Sequence, residues 1–586
     1  MESKTVTLAQ AMTAAVAHHQ AGRLAEAEGI YRQILSQNPN QPDALQLLGT
    51  LLGQKGDLKG AEELIRKSLA IQPNSAGAYF NLGEFCRRMG RPGEALATII
   101  EGMRYRPSAA AYDNMASALR DLKCDDAAID ALRTAIKFDP QYVAAFLKLG
   151  VLLSENGQME EAAAAFDRAA KLRPGWDEPA RQLQIGQALR GGSARQRLSM
   201  ADVNDPRVCI ALSAAFTHLH RHDDAIAAAK RASELAPEMP DPFINLGWLY
   251  SLVGRLDDAA AACERAISLN KQEAPAYLNL GVIRLLQGDF SRGWPLYEFR
   301  KKCRGFQFAR YSQPAWDGRP LSGRRILLWF EQGLGDTIQF LRYLPKVADL
   351  GGKVLLAVQP ELRRLVEGSV NVEQFVDPSH PLPPFDVQCS LLSLPMALGT
   401  TLETIPGKTP YLKPSADLIE KWAQKIRPYS GQLRIGLAWA GRPGHMNDAN
   451  RSMQLKDLAL LAATGATFFS LQKWKTGFSI TEPDPAMRLI DWTEELTDMA
   501  DTAALIANLD LVIGVDTAVV HLAGAMAARV WTLLPKSPDW RWLLDREDSP
   551  WYPTMRLFRQ DKLGDWTHPV TRAAREIGKM GTSVQC

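Results

Sequence analysis

Two short segments set reactive side chains beside small residues. One reads Gly333-Leu334-Gly335-Asp336-Thr337-Ile338, the other Gly514-Val515-Asp516-Thr517-Ala518-Val519-Val520-His521-Leu522-Ala523. Each follows a short apolar run and precedes a helical pattern. Each therefore places a small-residue turn and a carboxylate where a strand ends and a helix begins. α/β proteins bind phosphorylated ligands at that junction, because free backbone N–H groups and the helix dipole favour anions there. The Thr517 hydroxyl suits a monophosphate or diphosphate, and His521, one helical turn on, faces the same way. Asp516 either holds a ribose or sugar hydroxyl or caps the helix. His521 is either a ligand-facing group or a satisfied core histidine. Two such junctions suggest two facing lobes with a cleft between them.

The elements that would position these residues follow from pattern. A first set of strand-like runs comprises 325–330, 353–358, 373–376 and 385–389. A second comprises 433–439, 467–471, 487–490, 511–515, 529–534 and 555–558. Apolar strands alternating with helical stretches read as buried parallel sheets with crossover helices. Trp294–Gln313 is a basic, aromatic connector, and Pro314, Gly318, Pro320 and Gly323 mark a boundary after it.

Ahead of the lobes the chain repeats. Gly22, Gly56 and Gly90 are each 34 residues apart, as are Pro39, Pro73 and Pro107. Leu48-Gly49 recurs at Leu82-Gly83, Leu149-Gly150, Leu246-Gly247 and Leu280-Gly281, and Ala27, Ala61, Ala95, Ala128 and Ala162 hold one register. The pattern resembles the tetratricopeptide repeat over about residues 10–300. Lys123 replaces the turn glycine, and Trp176–Asn204 reads as a degenerate repeat or a joint between two arrays. Stacked repeats imply an α-solenoid, a superhelix with a concave protein-binding groove. Asn81, Asn114, Asn245 and Asn279 share a register on the inner helix. They form either a ladder that holds an acceptor main chain or solvated surface amides.

The expected organisation is a tetratricopeptide array over 10–190 and a second over 191–300. A connector follows over 301–323, then lobes over 324–415 and 416–575 and a tail over 576–586. Two Rossmann-like lobes joined by a linker resemble a GT-B glycosyltransferase. The Gly335-Asp336-Thr337-Ile338 segment, with Leu344-Pro345 closing the next helix, resembles the opening of heptosyltransferase-type enzymes, glycosyltransferase family 9. Asp516-Thr517-x-x-x-His521-Leu522-Ala523 resembles their second-lobe phosphate motif. Only 324–415 is available to the first lobe, so acceptor-binding elements of the family are missing and the repeats could supply that surface. Repeats fused to a GT-B unit also resemble O-linked N-acetylglucosamine transferases and bacterial flagellin glycosyltransferases.

The resemblance implies a metal-independent, inverting transfer from a nucleotide-sugar donor, with Asp336 taking the acceptor proton; the other reading of Asp336 is a helix cap. Gly335 lets the backbone come close. Arg451 stands where the family commonly has a lysine for leaving-group charge, with Arg442 and Lys473 next, unless these are only solvated. Gln472, at the end of a strand, could contact the nucleotide. Trp540 or Trp542 could stack on a base or sugar and Arg541 pair with phosphate, while Trp551-Tyr552-Pro553 could pack back on the first lobe. There is no D-x-D metal motif, and no cofactor is implied. The acceptor implied is a protein, flagellin by the resemblance, modified at Ser or Thr, and the matching donor is a CMP-linked nonulosonic acid. The alternatives are a transferase acting on lipopolysaccharide or another glycan, and an inactive scaffold.

Bulk composition fits this reading. The 586 residues exceed a single core. A net charge of +3 with mixed signs gives no case for nucleic acid. Seven scattered cysteines without C-x-x-C suit a reducing compartment. Without a signal-peptide pattern or an apolar run of membrane length, a bacterial cytoplasmic protein is the expectation.

Overall fold

The computed structural model describes residues 7–156, 158–173, 204–218, 221–303, 309, 311–442, 447–473 and 485–582. The proposed joint before Asn204 and the loop residues Pro443–Met446 lie outside them. The chain divides into two compact units, Met1–Asn245 and Leu246–Cys586.

The first unit is built of helix hairpins. In chain order they are α1 (Leu8–Gln20), α2 (Leu24–Gln37), α3 (Pro42–Gln54), α4 (Leu58–Ile71), α5 (Ala76–Arg88) and α6 (Pro92–Met103). Next come α7 (Ala109–Asp121), α8 (Asp125–Phe138), α9 (Val143–Glu155), α10 (Met159–Leu172), α11 (Pro206–His218) and α12 (His222–Leu235). The first five hairpins stack in series through α2–α3, α4–α5, α6–α7 and α8–α9, and α11 packs on α6. The recurring glycine of the Leu-Gly pair has a packing cause. A Cβ at Gly49, Gly83 or Gly150 would lie 2.8, 2.6 or 2.6 Å from Ile65, Ile99 or Phe166 of the paired helix. The register alanines Ala27, Ala61, Ala95, Ala128 and Ala162 are fully buried. Lys123 does take the turn conformation, with φ 63°, that Gly22, Gly56 and Gly90 take elsewhere. These hairpins form a tetratricopeptide solenoid.

Helix α13 (Pro240–Leu252) spans the boundary between the units. The second unit continues with α14 (Leu256–Leu269), α15 (Ala274–Leu286), α16 (Phe290–Tyr297) and a 3-10 turn, Glu298–Lys302. Two parallel sheets follow. The first contains β1 (Arg325–Trp329), β2 (Lys353–Leu356), β3 (Gln374–Phe375) and β4 (Val387–Ser390), in the order β3-β2-β1-β4. The second contains β5 (Arg434–Ala438), β6 (Thr467–Ser470), β7 (Leu489–Ile490), β8 (Leu511–Val515), β9 (Val530–Leu534) and β10 (Met555–Arg559). Its order is β10-β9-β8-β5-β6-β7. Helices α17 (Leu334–Phe340), α18 (Leu344–Asp349), α19 (Pro360–Glu367), α20 (Ala416–Ile426), α21 (Met499–Ile506), α22 (Ala518–Ala525) and α23 (Thr567–Thr582) connect and cover the strands. All ten expected strands form.

Three boundaries differ from the sequence reading. Leu344-Pro345 opens α18 rather than closing a helix, because proline is tolerated in a first turn but not an interior one. The expected tail continues α23 as far as Thr582. The last repeat helices are not a separable array, because α15 and α16 share one core with both lobes. In that core Phe290, Trp294 and Tyr297 pack on Trp540, with ring centroids 6.5, 5.2 and 5.8 Å away. The Trp294 indole N–H donates to Thr400 O at 2.9 Å. Ser537, in the loop after β9, donates to Ser251 O of α13 at 2.7 Å.

Candidate active site

β1 is buried from its second residue onward and delivers the chain into the turn Phe330–Gly333. That turn is held from behind. Arg300, fully buried, donates to Glu331 Oε1 at 2.7 Å and to Ser393 Oγ at 2.9 Å. Burial raises the Glu331 carboxyl above its usual value despite that guanidinium. From the turn α17 starts, and Asp336 in its first turn accepts the backbone N–H of Gly333 at 2.9 Å through Oδ2. Asp336 thus makes the reach-back bond of a capping box from the third helical position, with Gly333 at the N-cap. Its other oxygen, Oδ1, pairs with Arg541 of the second lobe.

Arg541 is the hub of the site. It sits in a 3-10 turn, Trp540–Trp542, in the loop after β9. Asp539 caps that turn, its Oδ1 accepting the Arg541 backbone N–H at 3.0 Å and Nη1 at 2.8 Å. Arg541 Nε donates to Gln339 Oε1 at 2.6 Å, and the guanidinium lies 4.4 Å from the Trp540 ring centre. Beyond the turn, Leu543 has φ 53° and ψ −165°, a strained backbone for a leucine. Arg559 braces it by donating to Trp542 O at 2.7 Å and Arg546 O at 3.0 Å. Burial, with Asp516 nearby, raises the Asp539 carboxyl above its usual value even beside Arg541.

The other half of the site follows β8. Thr517 is the residue before α22 and makes no side-chain cap; its hydroxyl turns back to Val515 O at 3.2 Å. His521 is buried. Its Nδ1 lies 2.9 Å from the Tyr552 hydroxyl, its Nε2 3.6 Å from Asp516 Oδ1, and its ring stacks on Trp542 at 5.1 Å. Arg451 donates to Asp516 O at 3.0 Å. Burial pushes the Asp516 carboxyl upward, but His521, Arg451 and Trp542 outweigh it and hold the group well below the usual carboxylate value.

The two halves meet because α17 packs on α22. A Cβ on Gly335 would fall 2.9 Å from His521 Cδ2 and 3.5 Å from Ala518 Cα. Trp551-Tyr552 completes the contact. Arg342 of the first lobe donates to Trp551 O and lies 4.5 Å from the Tyr552 ring centre.

The structure thus brings together Gly335, Asp336, Arg451, Asp516, Thr517 and His521. It corrects four other expectations. Gln472 is buried and already engaged, its Oε1 accepting the N–H groups of Trp439 and Ala440 at 3.1 and 3.0 Å and its Nε2 donating to Ala440 O at 2.9 Å. It clamps the end of β5. Trp540 and Trp542 are fully buried in the aromatic core, so neither is open to stack on a base or sugar. Arg541 is engaged by carboxylates rather than open to solvent. Lys473 donates to the carbonyls of Thr493 and Leu496. Arg442 is exposed.

The four asparagines each occupy the sixth position of a helix, Asn81 in α5, Asn114 in α7, Asn245 in α13 and Asn279 in α15, and each is half-buried. Asn81 donates to Thr50 Oγ1 of the preceding repeat at 2.9 Å. Sequence reasoning missed Asp539, Gln339, Tyr297 and the partner role of Tyr552. Their signal was only the Asp539-Trp540-Arg541-Trp542 string, which does not reveal a partner 205 residues away.

Comparison with known proteins agrees with both halves. Tetratricopeptide repeat models match residues 18–67, 52–119, 116–177, 215–274 and 244–293. A model of glycosyltransferase family 9 (heptosyltransferase) matches residues 496–559, which hold Asp516, His521, Arg541 and Tyr552 but not Asp336. Protein FlbA of Caulobacter vibrioides is 24% identical over 611 residues, covering 99% of this chain and 92% of FlbA. Protein O-mannosyl-transferase TMTC1 of Homo sapiens is 26% identical over 162 residues, covering 27% of this chain and 18% of that protein. Among solved structures, the type IV pilus biogenesis factor PilW covers 39% of this chain and 92% of its own, at 18% identity and a TM-score of 0.27. No described helix is long and apolar enough to cross a membrane. The chain joins tetratricopeptide repeats to a C-terminal part that is similar, over residues 496–559, to glycosyltransferase family 9 (heptosyltransferase).

Proposed function

We propose that the protein moves a sugar from a nucleotide donor to a Ser or Thr hydroxyl of a protein held by its repeats. One observation carries the reading: the α17–α22 contact sets the Asp336 carboxylate and the Thr517–His521 turn at one junction between the lobes. In this reading the donor phosphate lies at the start of α22, where Thr517 leaves first-turn N–H groups uncapped. The acceptor oxygen attacks the anomeric carbon as the carbon–oxygen bond to phosphate breaks. Asp336 takes the hydroxyl proton through a remaining lone pair. The leaving phosphate keeps the electron pair, and its charge is met by Arg451 and the helix terminus. The product is inverted and no metal takes part. His521, fixed by Tyr552 and Trp542, holds Asp516 and the turn in place.

The asparagine register supports a main-chain grip on the acceptor. Similarity to TMTC1, a protein O-mannosyl-transferase, favours a protein acceptor. Flagellin, a CMP-linked nonulosonic acid donor and a cytoplasmic setting rest on the resemblance alone. The family 9 match favours a second reading, transfer to lipopolysaccharide or another glycan. The test incubates the purified chain with a panel of UDP-, ADP-, GDP- and CMP-sugars and follows nucleotide release, with captured proteins analysed by intact mass. Release with a mass gain on a protein supports the reading. Release with gain only on a glycan supports the second. No release from any donor leaves the chain a scaffold.

A further inference from the structure

We propose that Arg541 is a positioning residue of the transfer reaction, a guanidinium from the second lobe that fixes the orientation of the Asp336 carboxylate across the cleft. The proposal rests on the reading of Asp336 as the proton acceptor.

The geometry argues for it at both oxygens. A carboxylate held at one oxygen still swings about χ2. Asp336 is held at Oδ2 by the Gly333 N–H at 2.9 Å and at Oδ1 by Arg541. Its plane is therefore set, and with it the direction of the lone pairs left for an acceptor proton. Arg541 is fixed in turn. Its Nε is bound by Gln339 Oε1 at 2.6 Å, on the same helix as Asp336, and its Nη1 by Asp539 Oδ1 at 2.8 Å. Trp540 lies beneath it and Leu543 is strained just beyond. Tyr297, from the last repeat helix, packs on that Trp540 ring with centroids 5.8 Å apart. Three different directions of one planar fork are thus used at once, which an ammonium cannot do. The arrangement also crosses lobes, so the base is set only when the lobes are closed on one another. Asp539 keeps Oδ2 without a hydrogen-bond partner among the described residues, so the pair Asp539–Arg541 has one acceptor to spare at the site.

The test is a double-mutant cycle in the full chain, with hydrolysis of each UDP-, ADP-, GDP- and CMP-sugar of the donor panel as the probe. Water then replaces the acceptor and its proton goes to the same base. R541Q should lower kcat by about a hundredfold while the donor KM stays within about threefold. D336N should fall similarly. The combined variant should be no slower than D336N alone, because Arg541 acts through Asp336. R541K should stay close to R541Q, since one ammonium cannot span the three acceptors. If R541Q melts below the assay temperature, the cycle is run with R541K.

A full further loss in the D336N background, or a donor KM raised tenfold with kcat unchanged, would overturn the proposal. The second result would make Arg541 a donor ligand. D336N working at the wild-type rate would instead sink the reading of the base itself. The two failures are therefore separate.

Discussion

Gly335 of the first lobe rests directly on the imidazole of His521 in the second, so close that a Cβ would come within 2.9 Å of the ring. The ring cannot easily yield, being stacked on Trp542 and held by Tyr552. Gly335→Ala should therefore push the lobes apart. We expect a stability loss of about 1–3 kcal/mol and a fall in turnover of about tenfold or more. Gly333→Ala is the milder control, because its Cβ would meet only Asp336 Oδ2, at 3.4 Å. Equal behaviour of the two variants in melting and turnover would remove the contact from the account.

Asp336→Ala should cut turnover by roughly a hundredfold or more with donor affinity near wild type. It also removes a cap, at a cost of about 1 kcal/mol; Asp336→Asn keeps the cap and should lose turnover alone. His521→Ala should weaken donor binding, because the ring holds Asp516 and the start of α22. Calorimetry with UDP, ADP, GDP and CMP separates the two. Donor affinity lost in Asp336→Asn but kept in His521→Ala would reverse the assignment.

Asp516 supplies a pH prediction. Its folded pKa lies below the ordinary value, so ionised Asp516 stabilises the fold. That contribution is present above the ordinary aspartate range, about pH 4, and is lost as pH falls further. Asp516→Asn should therefore melt lower than wild type at pH 7, and the gap should narrow on acidification from pH 5 toward pH 2. A gap that stays constant over that range would assign the loss to packing.

The shared core sets where the chain can be cut. A protein starting at Pro240 keeps Phe290, Trp294 and Tyr297 and should melt near the full chain, bind donor and fail to modify the acceptor. One starting at Lys301 loses all three aromatics, each worth about 3–5 kcal/mol if packed like a buried phenylalanine or tryptophan, and should not fold. Cooperative melting of the shorter protein would show that the repeat helices are dispensable to the lobes.

Chelator should leave nucleotide release unchanged, since the chain has no D-x-D motif. Loss of release, restored by a divalent cation, would contradict this.

Much of the architecture was legible because it is written in local pattern. The strands are short apolar runs between turns, and the helix hairpins repeat every 34 residues. Even Lys123 could be placed in a turn by its neighbours. The motif residues Asp336 and Asp516 were found for the same reason, since a carboxylate between strand and helix is visible in one dimension. The rest depends on contacts between distant segments. Gln472 looked like a ligand residue at a strand end, yet it turns inward to satisfy Trp439 and Ala440. Trp540 and Trp542 looked like stacking platforms, yet aromatic cores recruit the same residues. The partners of Arg541 lie on another lobe, and periodicity carries no trace of them.

The central claim is that Asp336 and the Thr517–His521 turn form one site for sugar transfer to a bound protein. Its most direct measurement is the intact mass of proteins captured on the full chain, from cells carrying the wild type or Asp336→Asn. The account predicts the same captured proteins in both, with glycosyl mass increments only in wild-type cells. The same increments in Asp336→Asn cells, or none in either, would contradict it.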